Sequence, residues 1–279
     1  MNAAPWDPVM GLPTPPVETV YNETVAFWAA TVYLCFAAPV VLYALFNARN
    51  RTGQVMLMIL VGGALCATVE PFADLLGGCW HPEVGQPTVF TILGRGIPPW
   101  VCIGYFTYFG AIAAANYVLF SRGITRRMVW IAFLVPVLVD IGMENLMLSY
   151  GLYHYYGNQP LSGLGWLPLW WPPINAVGEF AGVVAVIFLA PHLKGWRFLL
   201  LPLAMPIVDL LSYGLLAYPP IVAVNMEDMP AWLTHLLGLW PWLMAMVFIH
   251  FVSYLLATDS PLRRDGRVSL PAPGVPSAA

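Results

Sequence analysis

The stretch from Asp140 to Trp171 reads DIGMENLMLSYGLYHYYGNQPLSGLGWLPLWW. It begins inside an apolar run, Met128 to Tyr150, and leaves that run through a segment dense in tyrosine and tryptophan. Asp140 and Glu144 are four residues apart, so a helix puts both carboxyls on one face. A carboxyl at membrane depth is costly and normally faces a bundle interior or a wet cavity, so this pair marks an inward-facing site. Two carboxylates side by side in a low dielectric cannot both ionise cheaply, and one of the two is expected to keep its proton. The aromatic segment that follows is then the wall or cover of the same site.

Working outward, the chain supplies six more runs long enough to cross about 30 Å of hydrocarbon. They lie near Val25 to Phe46, Val55 to Leu76, Trp100 to Phe120, Pro173 to Ala190, Phe198 to Tyr218 and Trp232 to Ala257. Only 9% of the residues are charged and 59% are hydrophobic, where a soluble domain carries about a quarter charged. Most of this chain is therefore solvated by lipid. The expectation is an all-α integral membrane protein, a seven-helix bundle in the cell membrane. Ten of the eleven Lys and Arg follow the first, third and fifth runs or lie in the tail, with Arg95 alone on the other face. The positive-inside rule turns the basic face toward the cytoplasm, putting the N-terminus outside and the C-terminus inside. Residues 1–22 read as a retained, extended, Pro-rich lead-in, 23–258 as the transmembrane domain, and 259–279 as a disordered cytoplasmic tail.

Four further acids join the first pair within the apolar runs. Glu70 and Asp74 repeat the four-residue spacing in the second, Glu179 lies in the fifth and Asp209 in the sixth. No Lys or Arg lies within the runs to pair with them. The topology puts all six in the middle and outer half of the membrane, where Asn145, Asn175, Tyr213 and His235 can join them. Pro71 removes the usual donor to the Ala67 carbonyl and is expected to kink the helix beside Glu70. Pro136 and Pro206 are expected to do the same before Asp140 and Asp209. Tyr153, Tyr156, Trp170 and Trp171 belong to a cluster denser than an interfacial aromatic belt requires, and read as substrate-facing walls. His81, His192 and His250 read as surface or packing residues, and His154 and His235 as candidates for a proton relay. The four cysteines show no metal-type spacing and read as small core residues.

These patterns exclude several chemistries. Five scattered histidines cannot make a membrane di-iron centre, and the single lysine, Lys194, lies in a loop and cannot carry a retinal Schiff base. Transfer from a diphosphate needs basic residues near the phosphates, and here they sit on the opposite face. A net charge of -3 gives no footprint for nucleic acid. No phosphate loop, nucleophile elbow or zinc-type Cys/His pattern is present, so neither metal nor cofactor is expected. What remains is acid chemistry on a greasy substrate: a carboxylic acid protonates an olefin or epoxide, aromatic faces stabilise the cation and a carboxylate takes a proton back.

The run from Glu144 through Gly151-Leu152-Tyr153 and Tyr155-Tyr156-Gly157 to Pro168-Leu169-Trp170-Trp171 resembles the carotenoid hydratase and lycopene cyclase group. Seven runs with acids on separate helices are similar to the small membrane-bound terpene cyclases. The resemblance covers about a third of the chain and implies a lipophilic isoprenoid substrate drawn from the membrane, with Glu70 and Asp209 in the positions of an early-helix glutamate and a late-helix aspartate. The Pro-Glu-Glu motif of one lycopene cyclase type is absent. Either acid pair can be the proton donor, with Glu179 and Asp209 as base or secondary acids. Two other readings use the same acids: a proton- or cation-coupled carrier or receptor, and a membrane subunit of a larger complex. The oligomeric state is left open.

Overall fold

A computed structural model describes residues 6, 7 and 9–264. The tail from 265 onward, with Arg267 of the basic set, lies outside the described residues. In the described part of the lead-in an antiparallel Trp6–Pro13 bridge closes a turn, and a parallel bridge from Val20 to Val84 ties the segment to the first long loop.

Among the described residues seven helices are long and apolar enough to cross a membrane: α1 (Glu23–Phe46), α2 (Arg51–Gly77), α3 (Pro99–Arg122), α4 (Arg126–Ser149), α5 (Trp171–Leu189), α6 (Gly195–Val224) and α7 (Ala231–Leu256). Local chemistry sets several starts. Asn22, Asn50 and Thr125 each accept a backbone N–H from three residues on, at Val25, Gly53 and Met128, which satisfies a donor that the first helical turn leaves free. The largest departure from the expected runs is α6, which continues through Tyr218-Pro219-Pro220 to Val224. Prolines in a first helical turn need no donor, so the double proline restarts this helix instead of ending the span.

Pro71 acts as expected. The α-helical part of α2 stops at Cys66, turns through Ala67–Val69 and resumes at Glu70 with Pro71 in the first turn. Pro136, by contrast, sits inside an unbroken helix. α3 widens to π-helical pitch over Phe106–Ile112 and α6 over Tyr213–Ala217, and such bulges re-aim the side chains around them.

The bundle is held by close approaches at small residues. A Cβ on Gly63 of α2 would lie 2.2 Å from the backbone nitrogen of Gly110 in α3, so the two helices touch backbone to backbone. Gly178 and Gly182 of α5 instead make room for side chains of α6, those of Asp209 and Met205. α2 packs on α1, α3 and α6, while α5 packs on α3, α4, α6 and α7. α4 leans on α5 and α7, which leaves a cleft between it and the α1–α3 side.

Helix is not the whole fold. The loops at the end opposite the basic residues carry two small antiparallel sheets from β1 (Cys79–Trp80), β2 (Phe90–Ile92), β3 (Arg95–Ile97) and β4 (His154–Tyr155), with β1 paired to β4 and β2 to β3. Gly78, at φ +67°, ends α2 in the left-handed conformation and turns the chain into β1. Gln159 then staples the two long loops together. Its amide donates to the carbonyls of Gly77 (2.8 Å) and Tyr156 (2.6 Å), and its oxygen accepts from Trp170 Nε1 (3.1 Å).

Candidate functional site

The cleft between α4 and the α1–α3 side continues into a cavity of about 670 Å³, within the roughly 300–1,000 Å³ of small-molecule sites. One part is apolar, lined by Phe36, Val40, Leu119, Met128, Ile131 and Val135. Phe36 is 64% exposed, Ile131 48% and Val135 52%, so this part opens sideways on the helix surface that lipid would cover. The opening closes toward the aromatic end, where Tyr33 of α1 donates to Met147 Sδ of α4 (3.6 Å) and Asn22 to the Tyr150 carbonyl (3.5 Å).

The deep part of the cavity is polar and holds two carboxyl pairs. On one side is the resumed helix of α2, whose single turn between Glu70 and Asp74 brings both acids to the cavity. Tyr105 of α3 donates to Glu70 Oε2. His81 sits between the pair, with Nδ1 3.2 Å from Asp74 Oδ2 and Nε2 3.7 Å from Glu70 Oε1. Its ring lies against Trp100 and Tyr153, with centroids 5.5 and 5.6 Å away. Burial works against a proton on His81, yet the Asp74 and Glu70 carboxyls outweigh it and raise the imidazole above its ordinary value.

Across the cavity, α4 presents Asp140 and Glu144, again one turn apart and in mutual hydrogen-bond reach. Glu144 Oε2 accepts from Tyr153 (2.9 Å) and Tyr155 (3.3 Å). Burial, then the Glu144 carboxyl, pushes both phenols well above their ordinary value, so each arrives as an O–H donor. Asn175 of α5 donates to Asp140 Oδ2 (3.2 Å) and Glu144 Oε1 (3.5 Å), and its own oxygen accepts from Tyr213 of α6 (3.1 Å). Tyr213 and Tyr105 line the same cavity, each with its O–H committed, to Asn175 and to Glu70 respectively.

Glu70, Asp74, Asp140, Glu144, Tyr153, Trp171, Asn175 and Tyr213 thus line one cavity, and no lysine or arginine is among its lining residues. The indoles of Trp100 and Trp171 and the Tyr108 hydroxyl line it as well, without hydrogen-bond partners among the described residues, and can donate to an oxygen of an occupant. The remaining candidates lie elsewhere. Glu179 is fully buried behind Asn116, which donates to both its oxygens at 3.1 and 3.3 Å. Asp209 is buried beside Gly178, between α5 and α6. Asn145 holds the loop after α4 by accepting the amides of Trp166 (2.7 Å) and Leu167 (3.1 Å). Tyr156 accepts from Arg95, and Trp170, stacked behind Trp171 at 4.2 Å, bonds Gln159. His235 accepts the Leu161 amide at 3.0 Å.

No family model matches this chain, and no curated protein or solved structure matches it either. Chemistry has to be read from the cavity. Of the surface or packing reading of His81, the structure gives packing, and adds a position facing both acids of α2: the residue is 5% exposed. The pairing of β1 with β4 carries it there, a contact between loops more than seventy residues apart. Cys79 lies in the buried core, as expected from the sequence, and its thiol is also beside Asp74. Tyr105 and Tyr108 were within reach of sequence reading, since with Ile112, Ala115, Asn116 and Leu119 they fall on one helical face of α3.

Proposed function

We propose that the protein protonates a lipophilic isoprenoid, an olefin or its epoxide, and so drives cyclisation or hydration. The observation that carries this reading is two carboxyl pairs facing one aromatic-walled cavity with no cation of the Lys or Arg type, open sideways toward lipid. A diphosphate or other anionic head would find no lysine or arginine there to pair with it. An uncharged chain can slide in from the bilayer along Phe36, Ile131 and Val135.

In this reading Glu70 is the acid. Its proton passes to a substrate carbon or epoxide oxygen, and the carboxylate left behind is stabilised by the Tyr105 hydroxyl aimed at Oε2. The carbocation forms among the faces of Trp100, Tyr105, Tyr153, Tyr155 and Trp171, which stabilise positive charge through their π systems. Glu144 accepts from Tyr153, Tyr155 and Asn175, which fixes its carboxyl at the cavity wall. With Asp140 it is the base: it removes a proton from the carbon next to the cation, which leaves a new double bond, or from a water that adds to the cation. Asp74 and His81 hold Glu70 in place, while Glu179 and Asp209 brace α5 against α3 and α6. The protein works as a multi-pass protein of the cell membrane, its basic end in the cytoplasm and the acid cavity in the outer half.

The test is incubation of the purified protein in D2O with acyclic polyprenyl olefins and their terminal epoxides, followed by mass spectrometry of the extract. The expected product is a cyclised isomer carrying solvent deuterium, or an adduct heavier by one deuterated water. Glu70→Gln should abolish it. No change in any substrate, or full activity in Glu70→Gln, overturns the reading.

A further inference from the structure

We propose that Asp74, Cys79 and His81 form a binding site for one divalent transition-metal ion of the zinc class. The three residues offer an oxygen, a sulfur and a nitrogen, all within 4.8 Å of one another. All three are buried, at 2%, 4% and 5% exposure.

The fold brings them together for a clear reason. Asp74 is in the last turn of α2, and Gly78 turns the chain so that β1 folds back beside it. Cys79 and His81 are two residues apart in extended chain, so both side chains project to the same side. The pairing of Cys79 with Tyr155 and of Trp80 with His154 then fixes that segment against the second loop.

The donor set is selective. Thiolate, imidazole and a single carboxylate suit zinc and its neighbours, whereas magnesium and calcium take oxygen shells. Asp74 Oδ2 and His81 Nδ1 are 3.2 Å apart, just under the edge of about 3.3–3.6 Å that zinc bonds of roughly 2.0–2.2 Å give in a tetrahedron. His81 also turns its other nitrogen, Nε2, to Glu70 Oε1 at 3.7 Å. A metal-bound histidine characteristically presents its second N–H to a carboxylate, which fixes the ring and its tautomer. Glu70 stands where that partner belongs.

Charge also fits. A carboxylate and a thiolate neutralise a divalent ion, so the loaded site adds no net charge to a buried region, and binding releases the Cys79 thiol proton. Three protein ligands leave a fourth position, the pattern of reactive zinc sites as opposed to structural ones. All three ligands line the cavity, so that position is offered to a water or to a neutral oxygen of the occupant. The metal site does not depend on the isoprenoid reading, and its test does not use activity.

The protein, expressed without a polyhistidine tag and purified in mild detergent, is dialysed into metal-free buffer and its metal content measured by plasma mass spectrometry. It is also loaded with cobalt(II) and its absorption recorded. The expected results are one zinc-class ion per chain and a thiolate-to-cobalt charge-transfer band in the near ultraviolet. Both should be lost in Cys79→Ser and kept in Cys66→Ser. Absence of retained metal together with absence of the cobalt band in the unaltered protein overturns the proposal, with no variant needed. A band that persists in Cys79→Ser overturns it as well.

Discussion

Glu70 differs from the other acids in what surrounds it. It lies one residue before Pro71, at the point where α2 resumes, and it takes a phenol on one oxygen while the imidazole faces the other. Removing the Tyr105 hydroxyl removes one charge-assisted bond to the carboxylate that forms when the proton leaves, about 1.5–3 kcal/mol. Tyr105→Phe is therefore expected to slow turnover by roughly 10- to 100-fold with little change in KM, whereas Glu70→Gln removes the proton itself. A Tyr105→Phe rate equal to that of the unaltered protein, in steady-state assays on the isoprenoid product, would remove Tyr105 from the reaction. Tyr153 and Tyr155 hold Glu144 by the same type of bond, so two pairs of aromatic hydroxyl and acid face each other across the cavity.

At the scale of elements, α2 decides where the cavity lies. Its turn at Ala67–Val69 separates a tightly packed helix from a short one that carries the acids, and the first part is fixed by Gly63 against Gly110. A methyl at Gly63 would meet backbone, which cannot step aside as a flexible side chain can. Gly63→Ala is expected to cost about 1–3 kcal/mol or more from overpacking and to lower the thermal midpoint in detergent. An unchanged midpoint would mean that α2 and α3 do not approach this closely. The two paired loops act as a second rigid element. Without the β1–β4 pairing His81 and Tyr153 would have no fixed place above the acids.

At the scale of the whole molecule, two asymmetries have functional weight. The side cleft lies where α4 leans on α5 and α7, and Tyr33 of α1 reaches Met147 of α4 near the aromatic end. Basic residues gather at the other end, where Arg51 bonds the carbonyls of Ala190 (2.7 Å) and Leu193 (3.0 Å) and lies over the Phe198 ring at 3.8 Å. On the proposed orientation, which puts that end in the cytoplasm by the positive-inside rule, a green fluorescent protein fused to the C-terminus is expected to fluoresce and an alkaline phosphatase fused there to be inactive. The reverse pattern in cells would invert the orientation and place the acids on the inner side.

Much of the molecule was legible in the chain itself. Apolar runs set the seven helices, because a helix satisfies its own backbone hydrogen bonds without help from water. Four-residue spacing put Glu70 with Asp74 and Asp140 with Glu144, since helical periodicity is local. The break at Pro71 followed from a missing backbone donor. Tertiary structure decided what no local rule reaches: which acids meet. Glu179 and Asp209 have the same chemistry and depth in the sequence as the other four, yet helix rotation turns them into the packed contacts of α5 with α3 and α6. Tyr105 faces Glu70 only because Gly63 and Gly110 bring α2 and α3 together. His81 and Cys79 join Asp74 only because two loops, distant along the chain, pair as strands, and such pairing depends on partners that a single segment of sequence does not contain.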